Sequence, residues 1–530
     1  MKYITSVAFF ICFWPIINCF GQTYDNTRSE SYFAGEPLRI GNRWQLLLDE
    51  TVVEDRFRLT RQQVKARKHP HNPVLVRDKP WEGDGVGPVS VIWDPGWGKF
   101  RMWYRSFSSS SYYGGAGPPY FILYAESDDG LNWDKPLLDI IEMPGFKHTN
   151  VVYTGSFYPR VQGPQVWRDE DEPDSARRYK MISLERRIDE DGRLVSGVQL
   201  AYSNDGLHWS LDEDEEPLLN YHSDTYNHVV RAPNDNYWLL YCRPILRDAG
   251  RPARGRRTDL QESITGPYRR HSARRVSVAV SEDLYSWSFP RTVLYPDERD
   301  APDIDQSIVF HAGSGLLMLY AAMDGDVTGQ NEIKLASSSD GFHWNRYWER
   351  EPYIARGTEG TWDSGSVSTS GTPVAHGEFV FIYYNGGILG QHEAGNRMGS
   401  IGVAMTKTNR FVEQSAGDTP GFLLTKEFIL EGDRLLVNTT GSNLPNRPPA
   451  ELRVEILLES PSASDASYTD IIVPGFSLAD CDVITGDRTK AEVTWNGSGD
   501  LSPLKGKPVY LRFQLRNKGL CAFQIINSDN

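Results

Sequence analysis

The sequence predicts an all-β fold, a five-bladed β-propeller followed by a C-terminal β-sandwich. Three features carry this expectation. One strand-and-turn cassette recurs five times, helix-period segments between the copies are few, and beyond about Gly421 the cassette gives way to alternating strands. At 530 residues the chain also exceeds what one hydrophobic core usually supports, so a repeat-built domain with an appendage suits its length.

The chain opens on Met1-Lys2 and an apolar run from Ile4 to Ile17, the pattern of a signal peptide with cleavage after Gly21. The expected organisation is therefore a signal peptide at 1–21, a propeller at 22–420 and a sandwich at 421–530, in a protein that is secreted or periplasmic. The apolar run is shorter than the ~20 residues a bilayer-spanning helix needs, and no transmembrane segment is expected downstream. After cleavage Cys242, Cys481 and Cys521 remain, too few for a disulfide framework. Cys481 and Cys521 either pair within the last domain or stay as buried thiols.

The second half of each cassette is an apolar strand, a tight polar turn and a Trp. The copies are Tyr124–Trp133, Ala201–Trp209, Val278–Trp287 and Leu335–Trp344, with a degenerate fifth at Ile401–Met405 closing on Arg410-Phe411-Val412. Asp-Gly between strand-like runs signals a hairpin, and the Trp can pack between neighbouring blades. The first half is itself a hairpin. Val89–Ile92 precedes Phe100–Tyr104, Gln165–Trp167 precedes Tyr179–Ile182, and His228–Val230 precedes Tyr237–Tyr241. Ser307–Phe310 with Leu316–Tyr320, and Gly371–Val374 with Phe379–Tyr384, complete the set. Past Gly421, period-two runs such as Leu452–Leu457 and Val509–Phe513, separated by Gly, Pro and Asn turns, read as sandwich strands.

In a propeller, residues just before the innermost strand and just after the second strand converge on one mouth of the central channel. The positions before the strands hold Trp81-Glu82-Gly83-Asp84, Ser223-Asp224, Asp303-Ile304-Asp305 and Trp362-Asp363. Those after the return strands hold Arg105, Glu185 and Arg243. A ring of carboxylates suits glycosidic cleavage, which needs one carboxyl as acid and another as base or nucleophile. Asp84, Asp224, Asp303 and Asp305 are the catalytic candidates. Trp81, Glu82, Arg105, Glu185, Arg243, Trp362 and Asp363 are the substrate-binding candidates, the tryptophans as sugar platforms and the arginines as readers of carboxylate or sulfate. A competing reading makes the acids turn caps or ligands of a channel cation. No cofactor and no resident metal is expected. A net charge of −14 excludes a general nucleic-acid binder, whereas 15 Trp and 26 Tyr suit a carbohydrate partner.

These blades, the acids ahead of the inner strands and the trailing sandwich together resemble the five-bladed propeller glycosidases, the superfamily of glycoside hydrolase families 32 and 43. The chain is similar in particular to exported bacterial family-32-like proteins. The elements that carry the likeness are Ser223–Asn227, Trp362–Gly365 and Gly475–Cys481. The resemblance implies a glycoside hydrolase acting on a poly- or oligosaccharide, with Asp84 as base or nucleophile, Asp224 as orienter and Asp303 or Asp305 as acid. Three departures stand against it: no Trp-Met-Asn-Asp-Pro precedes the first blade, no Arg-Asp-Pro occurs at the third, and Asp occupies the acid position where Glu is expected. A non-catalytic carbohydrate-binding propeller and a sialidase-like enzyme are the alternatives. The sialidase Asp-box sets one residue between its Asp and Gly, whereas Asp129 and Gly130 are adjacent.

Overall fold

The computed structural model describes residues 37–528 apart from 109–110, 112–119, 156–160, 189–190, 192–193, 212–216, 220–222, 225, 234–235, 245, 248–271, 326–327, 347–349, 392, 394–398, 442, 444 and 459–470. The expected signal peptide lies outside the described residues. Strands dominate the rest, as the alternating and aromatic-rich runs require.

Five antiparallel meanders follow one another along the chain. The first is Gly85–Asp94, Lys99–Phe107, Ile122–Ser127 and Val151–Tyr153; the second is Gln162–Arg168, Tyr179–Ile188 and Leu194–Ser203. The third is His228–Arg231, Trp238–Cys242, Val276–Ser281 and Arg291–Leu294, and the fourth is Asp303–Ala312, Gly315–Met323 and Asn331–Ser338. The fifth is Ser366–Thr369, Phe379–Gly387 and Ser400–Lys407, with Arg67–Lys68 as its outermost strand, and a parallel pair of Asn331 with Ser366 joins it to the fourth in one sheet.

Each junction between meanders has its own apolar cluster, and the junctions run in a cycle. Met181 and Val166 meet Trp103 and Ile122 between first and second, and Ile182 and Leu200 meet Val229 and Leu240 between second and third. Val276 and Tyr241 meet Val309 and Leu316 between third and fourth. Leu319 and Ile333 meet Val367 and Ile382 between fourth and fifth. Phe381 and Tyr383 meet Val91 and Phe100 between fifth and first.

The turns of the cassette latch these junctions. Ser127, Ser203, Ser281 and Ser338 each accept backbone N–H groups of the turn, while Asp129, Asp205, Asp283 and Asp340 accept the next two. Gly130, Gly206 and Gly341 have φ of 74°, 76° and 82°, and a Cβ would lie within 2.9 Å of a neighbouring side chain at each. Their carbonyls accept hydrogen bonds from Tyr383, Trp103 and Tyr241 of the adjoining meander, each at 2.7 Å. Trp133, Trp209 and Trp344 pack edge-on against the same three aromatic rings.

Two further sheets enclose a separate core. One contains Gly519–Ile526, Arg434–Thr440 and Arg488–Glu492; the other contains Pro508–Arg516, Glu451–Leu458 and Gly421–Thr425. Pro508–Arg516 alternates half-buried and buried at every position, so Val509, Leu511, Phe513 and Leu515 all point inward. Each such buried side chain contributes ~1.5–3 kcal/mol. The expected boundary at 421 is corrected by the strand pairing. Gln45–Leu46, Thr60–Gln63 and Val412–Ser415 join the first of these sheets, and Val53–Phe57 joins the second. These N-terminal strands carry few apolar residues because they lie at sheet edges, so their sequence shows little alternation. Cys481 and Cys521 are both buried and no disulfide joins them.

Candidate functional site

Three inner strands are bulged near their starts, where side chains would otherwise alternate strictly between faces. In the first meander the register jumps between Val86 and Val89, leaving Gly87-Pro88 unpaired. In the second it jumps between Ile182 and Leu184 opposite Gly163-Pro164. In the fourth the unpaired residue is Asp305 itself, between Ile304 and Gln306. A bulge re-aims the side chain it frees, and here it turns Asp305 toward the third and fifth meanders.

Asp305 sits at the centre of a polar cluster drawn from distant parts of the chain. Arg243 donates to its backbone carbonyl at 2.7 Å and to its carboxylate, and the other arm of the same guanidinium donates to Asp224. Arg274 pairs with Asp305 at 3.0 Å, and Gln391 Nε2 donates to its Oδ2 at 2.9 Å. Burial would push Asp305 up, but the Arg274 and Arg243 charges outweigh it and hold the carboxyl below its ordinary range. Asp305 is therefore a carboxylate, not a proton donor. Ser223 and Asn227 brace the turn that carries Asp224: the Ser223 hydroxyl donates to Asn227 at 2.6 Å and accepts from the Arg243 amide at 2.9 Å.

Asp303 is fully buried, with Arg275 at 3.6 Å and the Arg274 amide at 3.4 Å. Asp84 is half-buried on the approach to the first inner strand, and its amide donates to Phe107 O at 2.6 Å. Both flanking glycines are sterically required. A Cβ at Gly83 would lie 2.3 Å from Phe107 O, and one at Gly85 would lie 2.9 Å from Gly399 N.

Arg105 follows the same edge of the first meander. Its guanidinium lies 4.4 Å over the ring of Tyr120, which in turn stacks on Phe107. The Arg105 charge also acts on the Tyr226 hydroxyl, which is buried beside Ser370 and is pushed up by that burial. Asp305 acts on the same hydroxyl, so the first, third, fourth and fifth meanders meet around it. His228 Nε2, at the start of the third meander, meets Thr372 Oγ1, just beyond the first strand of the fifth, at 2.9 Å, and burial pushes the imidazole down to about 3.

Four expected substrate contacts are instead committed to the framework. Glu82 is buried; it accepts from Lys135 and Tyr104 on one oxygen and from the Asp78 and Lys79 amides on the other. Trp81 donates to Asn150 at 2.8 Å and packs on Phe146. Asp363 is buried against Lys68 and Tyr384, and Trp362 stacks on Tyr384. Sequence could not separate these from the mouth because a Trp-acid pair ahead of a strand looks the same in either role. Glu185 is buried too and accepts from Tyr153 at 2.6 Å and Ser183 at 3.0 Å. Arg243 is buried, with its donors on Asp224 and Asp305.

Arg274, Arg275, Gln391 and Tyr226 belong to the cluster without having been singled out. Arg274 and Arg275 follow a long Arg-rich stretch that reads as a solvated loop. A usable signal was the Gly-Pro pair repeated at 87–88 and 163–164, which marks where inner strands break pairing.

No protein-family model matches the chain, and no curated protein matches it. Solved structures do match. A glycosyl hydrolase from Bacteroides ovatus is 14% identical with a TM-score of 0.43, the match covering 66% of this chain and 95% of that one. An N-acetylgalactosamine deacetylase from F. plautii, in complex with blood group B trisaccharide, is 15% identical with a TM-score of 0.40, over 66% and 95%. A GH32 beta-fructofuranosidase from Bombyx mori is 11% identical with a TM-score of 0.37, over 88% and 94%. The chain is thus similar to glycoside hydrolase structures, and what it does rests on its own residues.

Proposed function

We propose that this chain is an exported five-bladed β-propeller with an attached β-sandwich, and that it hydrolyses glycosidic bonds of a poly- or oligosaccharide at the mouth of the propeller. The observation that carries the reading is the meeting of Asp224, Arg243, Asp305, Arg274 and Gln391 at one end of the five meanders. Glycosidic cleavage needs one carboxyl to protonate the leaving oxygen. A second, as carboxylate, attacks the anomeric carbon or takes a proton from the water that does. Asp84 and Asp224 are the proposed pair, because of the acids collected here they are the two that reach solvent. Contact with Arg243 favours the ionised form of Asp224, which suits the carboxylate role and leaves the proton to Asp84. The family resemblance instead implies Asp84 as base or nucleophile, Asp224 as orienter and Asp303 or Asp305 as acid. Asp305, buried behind Arg243, is a positioning residue. A second reading, a sugar-binding propeller without catalysis, draws on the same ion-pair network, since an acid held by arginine also serves a purely structural end.

The test is a screen of the purified protein for released sugar against plant and algal polysaccharides, followed by Asp224→Asn and Asp305→Asn. The expected result is turnover in the wild type that falls by about a hundredfold or more in Asp224→Asn. Asp305→Asn should alter the pH profile along with kcat. Sugar binding with no turnover on any substrate would establish the second reading instead.

A further inference from the structure

We infer that the mouth takes an acidic saccharide, and that Arg105 is the residue that reads its anionic group, a carboxylate or a sulfate ester. The inference rests on the proposed reading of the mouth as a saccharide site and names the class of saccharide. The charge balance of the cluster points to it. Arg243 is matched by Asp224 and Asp305, Arg274 by Asp305, and Arg275 by Asp303. Among the described residues the Arg105 side chain makes no ion pair and no hydrogen bond, and its Nε is buried without an acceptor. A partly buried guanidinium loses hydration that only an acceptor restores.

The setting selects the kind of acceptor. The guanidinium carbon lies 4.4 Å from the centre of the Tyr120 ring, which stacks on Phe107, so the stem of Arg105 is packed while its planar fork suits bidentate recognition of a carboxylate or sulfate. Phe107 O also fixes the Asp84 amide, so a saccharide anchored at Arg105 lies on the edge that carries Asp84.

The experiment is titration calorimetry of the full chain with oligogalacturonate, with sulfated galactan oligosaccharides, and with their carboxyl-reduced and desulfated counterparts. The wild type should bind one acidic probe at least tenfold more tightly than its neutral counterpart, and which probe binds identifies carboxylate or sulfate. Arg105→Gln should weaken that binding roughly ten- to hundredfold while leaving the neutral counterpart unchanged. Arg105→Lys should recover part of it, because a point charge replaces the planar fork. Unchanged melting temperatures would confirm that the variants fold. Equal binding of acidic and neutral probes, failure to bind any probe, or an equal loss on both in Arg105→Gln would overturn the inference. A protein that binds the acidic probe and cleaves nothing retains this inference and ends the hydrolase reading. One that cleaves neutral glycans without charge preference does the reverse.

Discussion

Glu82 and Asp84 stand two positions apart and meet opposite surroundings, which sets their predicted responses apart. Glu82 receives four hydrogen bonds, one from a Lys135 side chain that is itself 6% exposed. Glu82→Gln removes the buried charge that Lys135 faces and leaves that ammonium the exposed Asp78 carboxylate and the Val76 carbonyl, at a cost on the order of 1–3 kcal/mol, so the melting temperature should fall by several degrees. Any loss of activity should follow the unfolded fraction. Asp84→Asn should leave melting unchanged while hydrolysis of natural substrate falls by roughly a hundredfold. If Asp84 is the proton donor, aryl glycosides with good leaving groups should be cut by this variant at near-normal rate, because they need no protonation. An equal loss on both substrates would return Asp84 to the base or nucleophile role. At this scale the positions of acids and arginines were legible, since repeat geometry fixes which residues flank each strand. Their occupancy was not. Whether an acid meets Lys68, Lys135 or Arg243 depends on partners up to several hundred residues away, which no local pattern encodes.

The Ser-x-Asp turn is the element most fully read from sequence, and its chemistry predicts a pH dependence. Burial works against ionisation of Asp129, yet the Asn132 and Leu131 amides with the Asn132 and Ser127 side chains pull it down to about 2. Burial likewise opposes Asp205 and Asp340; the backbone and side chain of His208 and His343, with the Leu207 and Phe342 amides, bring both to about 2. Asp283 is lowered by the Ser286 and Tyr285 amides. The unfolded reference is ~3.9. Because the folded values are depressed, the stability these acids add is fully present above about pH 4 and is lost as pH falls toward about 2. Replacing Asp129, Asp205, Asp283 and Asp340 together by Asn, which keeps an acceptor but cannot titrate, should flatten denaturation midpoints between pH 4 and 2. Wild-type and quadruple-variant midpoints that fall in parallel would refute the assignment. The third copy puts Leu284 at φ 74° where the others have Gly, and it fits because its side chain drops into the core between the second and third meanders. The inner-strand bulges, in contrast, left only a Gly-Pro trace, and the fourth left none, since Asp305 is no turn former.

The whole molecule joins its two parts more tightly than a sequence boundary near 421 implies. Residues 45–63 supply strands to both C-terminal sheets, and Arg67–Lys68 then closes the fifth meander, so one N-terminal segment ties the two parts together. The junction is apolar and hydrogen-bonded. Leu46, Leu48 and Ala522 share a cluster with Phe310, Leu317 and Phe411. Arg410, almost fully buried, donates to Asn438 at 2.7 Å and to the Thr439 carbonyl at 2.9 Å. Such an interface couples the two cores, so calorimetry of the intact chain should give one transition, and Arg410→Met should lower its midpoint without dividing it. A chain truncated after Thr419 loses every partner of Val53–Phe57 and uncovers Leu47, Val52, Val53 and Phe411, which face the C-terminal core or its border. Exposing several buried side chains at ~1.5–3 kcal/mol each exceeds the ~5–15 kcal/mol margin of a typical domain once the lost sheets are added. The truncated protein should therefore aggregate or lack a cooperative transition, and activity should vanish with it. A soluble, cooperatively melting fragment 22–419 with wild-type activity would show that the five meanders stand alone and that the C-terminal sheets serve something other than their support.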